Sequence, residues 1–60
     1  MTDRILRRRE VQALTGLSRS TIYQYIANGK FPRPVALGPR AVGWRESDID
    51  RWIADREQAA

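Results

Sequence analysis

Five residues within the stretch Gly16–Gly29 share one chemistry. Arg19, Ser20, Tyr23, Gln24 and Ala27 are basic, polar or small, with no carboxylate among them. At helical spacing they fall on one side, opposite Ile22, Tyr25 and Ile26, which recur at i, i+3 and i+4 as an apolar stripe. A guanidinium forks onto guanine N7 and O6, and a carboxamide pairs in the same bidentate way with adenine. A helix with one buried stripe and one donor face free of negative charge can lie in a DNA major groove. An ordinary amphipathic helix with a solvated face has the same pattern, so the flanking residues must separate the two.

Those flanks predict how the stretch is held. Ser18 suits an N-cap, because its hydroxyl can accept from a free N–H of the first turn. Gly29 suits a stop, because it can take the left-handed conformation that ends a helix. Upstream, a helix is expected from Arg8 to Thr15, with Val11 and Leu14 facing inward and Leu17 just past the turn. Its start is weak: neither Arg7 nor Arg8 is a good cap, and Glu10 only opposes the dipole. The run Arg7-Arg8-Arg9 reads as no more than a basic start to that helix. Gly16 can take a positive φ in the turn between the helices. A helix, a short Gly-containing turn and an N-capped second helix together give the helix-turn-helix pattern.

After the second helix, Pro32 and Pro34 hold an extended connector, and Phe31 is expected as a core plug beneath the turn. Val35 and Leu37 alternate, as do Val42 and Trp44, around Gly38-Pro39-Arg40-Ala41, which predicts a β-hairpin. A hairpin after a helix-turn-helix is a wing, and Arg40 at its tip can reach a phosphate or a narrow minor groove. Arg4-Ile5-Leu6 is expected as a short extended piece that lays Leu6 on the core. A last helix is expected from Glu46 to Glu57, with acids in its first turns and Ile49, Trp52 and Ile53 as its stripe. Trp44 and Trp52 are both expected in the core, because so small a chain needs large apolar side chains. The expected fold is therefore mainly α with a small β-hairpin: one winged helix-turn-helix domain over residues 4–57, with three helices and a two-stranded wing.

Charge distribution narrows the partner. From Arg4 to Arg45 there are nine basic residues and one acid, Glu10, whereas from Glu46 onward five acids face two arginines. Ten of the eleven basic residues are Arg, the side chain whose planar fork suits phosphates and guanine edges. A basic body with an acidic last helix implies a polyanion on one face. Lys30, just past Gly29, joins the candidate DNA contacts. The absence of Cys and His argues against disulfides and a structural zinc site. No apolar run is long enough to span a membrane, and the charged start predicts no signal peptide.

Several segments in order carry a more specific resemblance. They are Leu14–Tyr23, Gly29–Pro32, Leu37–Arg40, Gly43–Ile49 and Trp52–Arg56. Together they resemble the AlpA family, small prophage-type transcriptional regulators related to excisionases and to the MerR-like winged helix-turn-helix group. The resemblance runs from about Ile5 to Arg56. It implies a DNA-binding fold whose second helix enters the major groove. By position, it puts Arg19, Ser20, Tyr23 and Gln24 on the groove face, and Ser18, Thr21, Arg40 and Arg45 on the DNA backbone. Arg8 departs from the pattern, which has an apolar residue there.

The functional expectation is a sequence-specific DNA-binding transcriptional regulator, cytoplasmic and associated with the nucleoid. Double-stranded DNA is its partner, with a second copy of the chain or a recombinase as further ones. An excisionase-like architectural protein and a protein-interaction adaptor docking through the acidic helix are the alternatives. No enzymatic activity, cofactor, metal, membrane or small-molecule substrate is expected.

Overall fold

In the computed structural model, which describes residues 3–56, every helix, two of the strands and the connector each send one side chain to a common centre. The elements are β1 (Ile5–Leu6), α1 (Arg8–Thr15), α2 (Arg19–Ala27), β2 (Val35–Gly38), β3 (Ala41–Arg45) and α3 (Glu46–Ala54). Their central residues are Leu6, Val11, Ile22, Trp44 and Ile49, joined by Phe31 from the α2–β2 connector. Leu17, Tyr25, Ile26 and Trp52 pack around this cluster as half-buried residues. Phe31 is the expected plug: it meets Trp52 edge-on at 4.9 Å and Trp44 at 6.4 Å between ring centres.

The strands form one antiparallel sheet of three, in the order β1-β3-β2. This corrects the two-stranded wing. A hairpin alone would leave one side of β3 with unpaired backbone groups. Ile5 and Leu6 pair there with Arg45 and Trp44, which brings Leu6 over the core. On the other side Val35, Ala36 and Gly38 pair with Gly43, Val42 and Ala41, with an irregularity at Leu37. Leu37 and Val42 stay exposed, because the hairpin extends beyond the small core.

α1 is rotated from its expected setting. Leu14 is 51% exposed, and the residues turned inward are Arg8, Val11, Gln12 and Thr15, at i, i+3, i+4 and i+7. Polar pairing makes this stripe tolerable: the Thr15 hydroxyl donates to the Val11 carbonyl at 2.8 Å, and Arg8 Nε donates to Gln12 Oε1 at 3.2 Å. Arg8 is half-buried, so part of its long side chain is shielded while its guanidinium is bonded to Gln12. At the start of α1, Glu10 accepts the Arg7 backbone N–H at 3.0 Å, while the Arg7 side chain has no acceptor to return the bond. Gly16, at φ 75°, ends the helix.

α3 stops at Ala54, short of the expected end; Glu57 lies outside the described residues. Ile49 is buried, Trp52 is half-buried against the core and Ile53 is 39% exposed, so burial fades along the stripe of this short helix. No helix among the described residues is long and apolar enough to cross a membrane.

Candidate nucleic-acid interface

α2 divides its faces as its spacing predicts. Ile22 is buried and Tyr25 and Ile26 are half-buried, while Arg19, Ser20, Tyr23, Gln24 and Ala27 are exposed. Both ends are fixed. Ser18 Oγ accepts the Thr21 N–H at 3.2 Å and donates to Thr21 Oγ1 at 2.9 Å. At the other end Gly29 sits at φ 71°, its N–H donates to the Ile26 carbonyl and the Lys30 N–H donates to the Tyr25 carbonyl. That pair of bonds is the Schellman termination. Within the exposed face, the Arg19 guanidinium lies 5.7 Å from the Tyr23 ring centre, one helical turn away. The contact biases a long, rotamer-rich side chain toward one direction, which lowers the ordering cost of using it in binding.

The segment after α2 is tied down by the two tryptophans. Trp52 Nε1 donates to the Lys30 carbonyl at 2.8 Å, and Trp44 Nε1 donates to the Pro32 carbonyl at 2.9 Å. One indole comes from α3 and the other from β3, so the C-terminal end of α2 is registered against both. Pro32 cannot donate to a ladder, and these bonds supply partners for carbonyls outside regular structure.

The remaining candidates lie in three places. Arg40 is exposed in the two-residue turn Pro39-Arg40 that links β2 to β3. Arg45 is at the far end of β3, about 17 Å of extended strand away. It alternates with buried Trp44 and so faces the opposite side of the sheet. Lys30 is beyond the C-terminal end of α2 and lines a cleft with Phe31, Asp48, Arg51, Trp52 and Arg56, where charges of both signs mix. The structure therefore brings Tyr23 and Arg40 together, and leaves Lys30 and Arg45 elsewhere.

Tyr23 and Arg40 meet across a cleft of about 380 Å³ whose other lining residues are Arg7, Arg8, Arg9 and Val42. The Arg7–Arg9 run was legible only as a basic start to a helix. Its position opposite the hairpin depends on where β3 lies, which local spacing does not reveal. The sequence signal that could have found it was the run itself, three adjacent arginines at the start of a short helix.

The family model described as "Prophage CP4-57 regulatory protein (AlpA)" matches residues 4–57. The chain is 50% identical over 54 residues to "Uncharacterized protein ORF88" of Enterobacteria phage P4, covering 90% of this chain and 61% of that protein. It is 39% identical over 59 residues to the "DNA-binding transcriptional activator AlpA" of Escherichia coli (strain K12), covering 88% of this chain and 84% of that one. With the family model matched over nearly its whole length, the chain belongs to the AlpA family of prophage regulatory proteins.

Proposed function

We propose that residues 4–57 act as one winged helix-turn-helix domain that binds specific double-stranded DNA and regulates transcription in the cytoplasm, at the nucleoid. In this reading α2 enters the major groove, with Arg19, Ser20, Tyr23 and Gln24 toward base edges. Ser18 and Thr21 at its start and Arg40 on the hairpin meet the DNA backbone, and Lys30 and Arg45 add basic charge at the margins. The observation that carries the proposal is the exposed face of α2, which is rigidly capped, rich in donors and free of carboxylate. The relative in E. coli, named a DNA-binding transcriptional activator, supports the same chemistry. A domain this small covers few base pairs, so a second copy on an adjacent site belongs to the proposal.

The test is duplex binding over a range of salt concentrations, followed by selection of bound sequences from a random duplex pool. With roughly four to six phosphates neutralised, log affinity should fall with log salt at a slope of roughly −4 to −5. Selection should enrich one defined site. A slope near zero on B-form DNA would overturn the reading, and steep binding with no enriched site would remove its sequence-specific part.

A further inference from the structure

The cleft between α1 and the hairpin is electrostatically one-sided. Four of its six lining residues are Arg7, Arg8, Arg9 and Arg40, and none is a carboxylate. Glu10, the one acid on α1, is engaged elsewhere: its carboxylate takes Arg4 at 3.1 Å and the Arg7 backbone N–H at 3.0 Å. Among the described residues none of the four cleft arginines forms an ion pair within 4 Å, whereas Arg4 pairs with Glu10 and lies 3.9 Å from Glu46. The cleft beside α3 gives the contrast, since there Asp48 and Asp55 stand among Lys30, Arg51 and Arg56. Four like charges drawn from two separate elements repel one another, and an anion between them relieves that repulsion.

Tyr23 belongs to this cleft as well as to the exposed face of α2. Its phenol is an uncharged donor next to the arginines, and its ring carries the Arg19 guanidinium on α2. We infer that this cleft seats the sugar-phosphate backbone of one DNA strand, gripped between Arg7 and Arg9 on one side and Arg40 on the other. Tyr23, set toward base edges in the reading above, is reassigned to that backbone by its place in the cleft. Arg8, partly buried and bonded to Gln12, is part of the cleft wall. A second DNA-contacting element thereby joins α2 and the hairpin, and the grip spans the start of α1 and the turn at Arg40. The inference rests on the DNA-binding reading above.

Its test compares the parent with Arg9→Ala, Arg40→Ala, the pair Arg7→Ala/Arg9→Ala, Arg9→Lys and Tyr23→Phe, on the selected site and on random duplex. Arg51→Ala, which removes the same charge from α3 beyond the cleft, is the control. Circular dichroism confirms that each variant is folded. Arg9→Ala and Arg40→Ala should each reduce the salt slope by about one, and the Arg7/Arg9 pair by about two. Arg9→Lys should keep the parental slope, because a phosphate needs the charge and not the fork. Arg51→Ala should leave the slope unchanged. Tyr23→Phe should weaken both duplexes by the same factor and leave the selected sequence as it was. If the parent binds with a steep slope while folded Arg7/Arg9 variants keep it, the cleft is not the backbone seat, and the DNA-binding reading survives. An equal drop for Arg51→Ala would mean that only net charge matters, and the cleft assignment falls. A parent that shows no salt-dependent binding overturns both.

Discussion

Asp3 caps α3 from 44 residues away: its Oδ1 accepts the Ser47 N–H at 3.1 Å and its Oδ2 accepts the Ser47 hydroxyl at 2.6 Å. The residue in the local N-cap position is Arg45, whose side chain has no acceptor. The Glu46 N–H is taken by the Arg4 carbonyl at 2.8 Å, so the chain start satisfies two of the free donors of this helix. The N-terminal segment thus does two jobs in sequence, capping α3 through Asp3 and completing the sheet through Ile5 and Leu6.

This contact sets a pH dependence. The two bonds from Ser47, aided by Arg45, hold the Asp3 carboxyl below its ordinary value of 3.8. A group lowered in the folded state stabilises fully above its unfolded pKa, and that contribution is lost as pH falls through the folded pKa. Asp3→Ala should therefore lower the melting temperature at neutral pH, and the gap to the parent should close below about pH 4. Thermal melts of both proteins from pH 7 to pH 2.5 check this; a gap of constant size across that range would mean that Asp3 does not act as a charged cap.

Gly43 marks the tightest place in the sheet. A Cβ there would lie 2.5 Å from Ile5 Cγ2, 3.0 Å from the Leu6 carbonyl oxygen and 3.2 Å from Leu37 Cδ1. Gly43→Ala should destabilise by about 1–3 kcal/mol through overpacking. Adding Ile5→Ala should return part of the loss, because it removes the nearest obstructing atom. Denaturant melts of the two single variants and the double variant read the coupling directly.

The two tryptophans should separate in cost. Trp44 is fully buried, so Trp44→Ala should cost about 3–5 kcal/mol, enough to threaten folding in so small a domain. Trp52 is half-buried, with the Arg56 guanidinium 4.2 Å from its ring centre, and Trp52→Phe keeps most of the packing against Phe31. That variant should lose about 0.5–1.5 kcal/mol with the bond to the Lys30 carbonyl. Denaturant melts of both variants check this, and a Trp52→Phe cost well above that range would show that the indole contributes more than this one bond.

Local chemistry explains what the sequence made legible. Ser18, Gly29 and the Ile22/Tyr25/Ile26 spacing each act within one or two turns, so the limits and facing of α2 followed from them. Phe31, set between Gly29 and Pro32, was readable for the same reason. What escaped the sequence depends on distant partners. The pairing of Ile5 and Leu6 with β3 and the capping of Ser47 by Asp3 join residues about forty positions apart. Leu14 misled because hydrophobicity suggested one facing for α1, while the polar pairs Arg8–Gln12 and Thr15–Val11 allowed another. Arg7 and Arg9 were visible as a run, but only the folded position of the hairpin gives them a shared cleft with Arg40.

Reading and holding should fail differently when α2 is altered. Arg19 sits in the first turn of the helix, where a recognition helix meets bases, and its stacking on Tyr23 holds it on the exposed face. Gln24 lies on the same face, with a carboxamide that suits adenine. Arg19→Ala and Gln24→Ala should each cost about 1–3 kcal/mol on the selected site and relax preference at one or two base positions. Ser18→Ala should act otherwise. It removes the cap and costs about 1 kcal/mol of fold stability, and it should weaken binding to all sequences by a similar factor. A base-preference profile for each variant, taken beside a melt, makes the distinction. If Arg19→Ala and Gln24→Ala keep the parental profile while Arg40→Ala changes it, the hairpin is the element that reads sequence and α2 only holds the duplex.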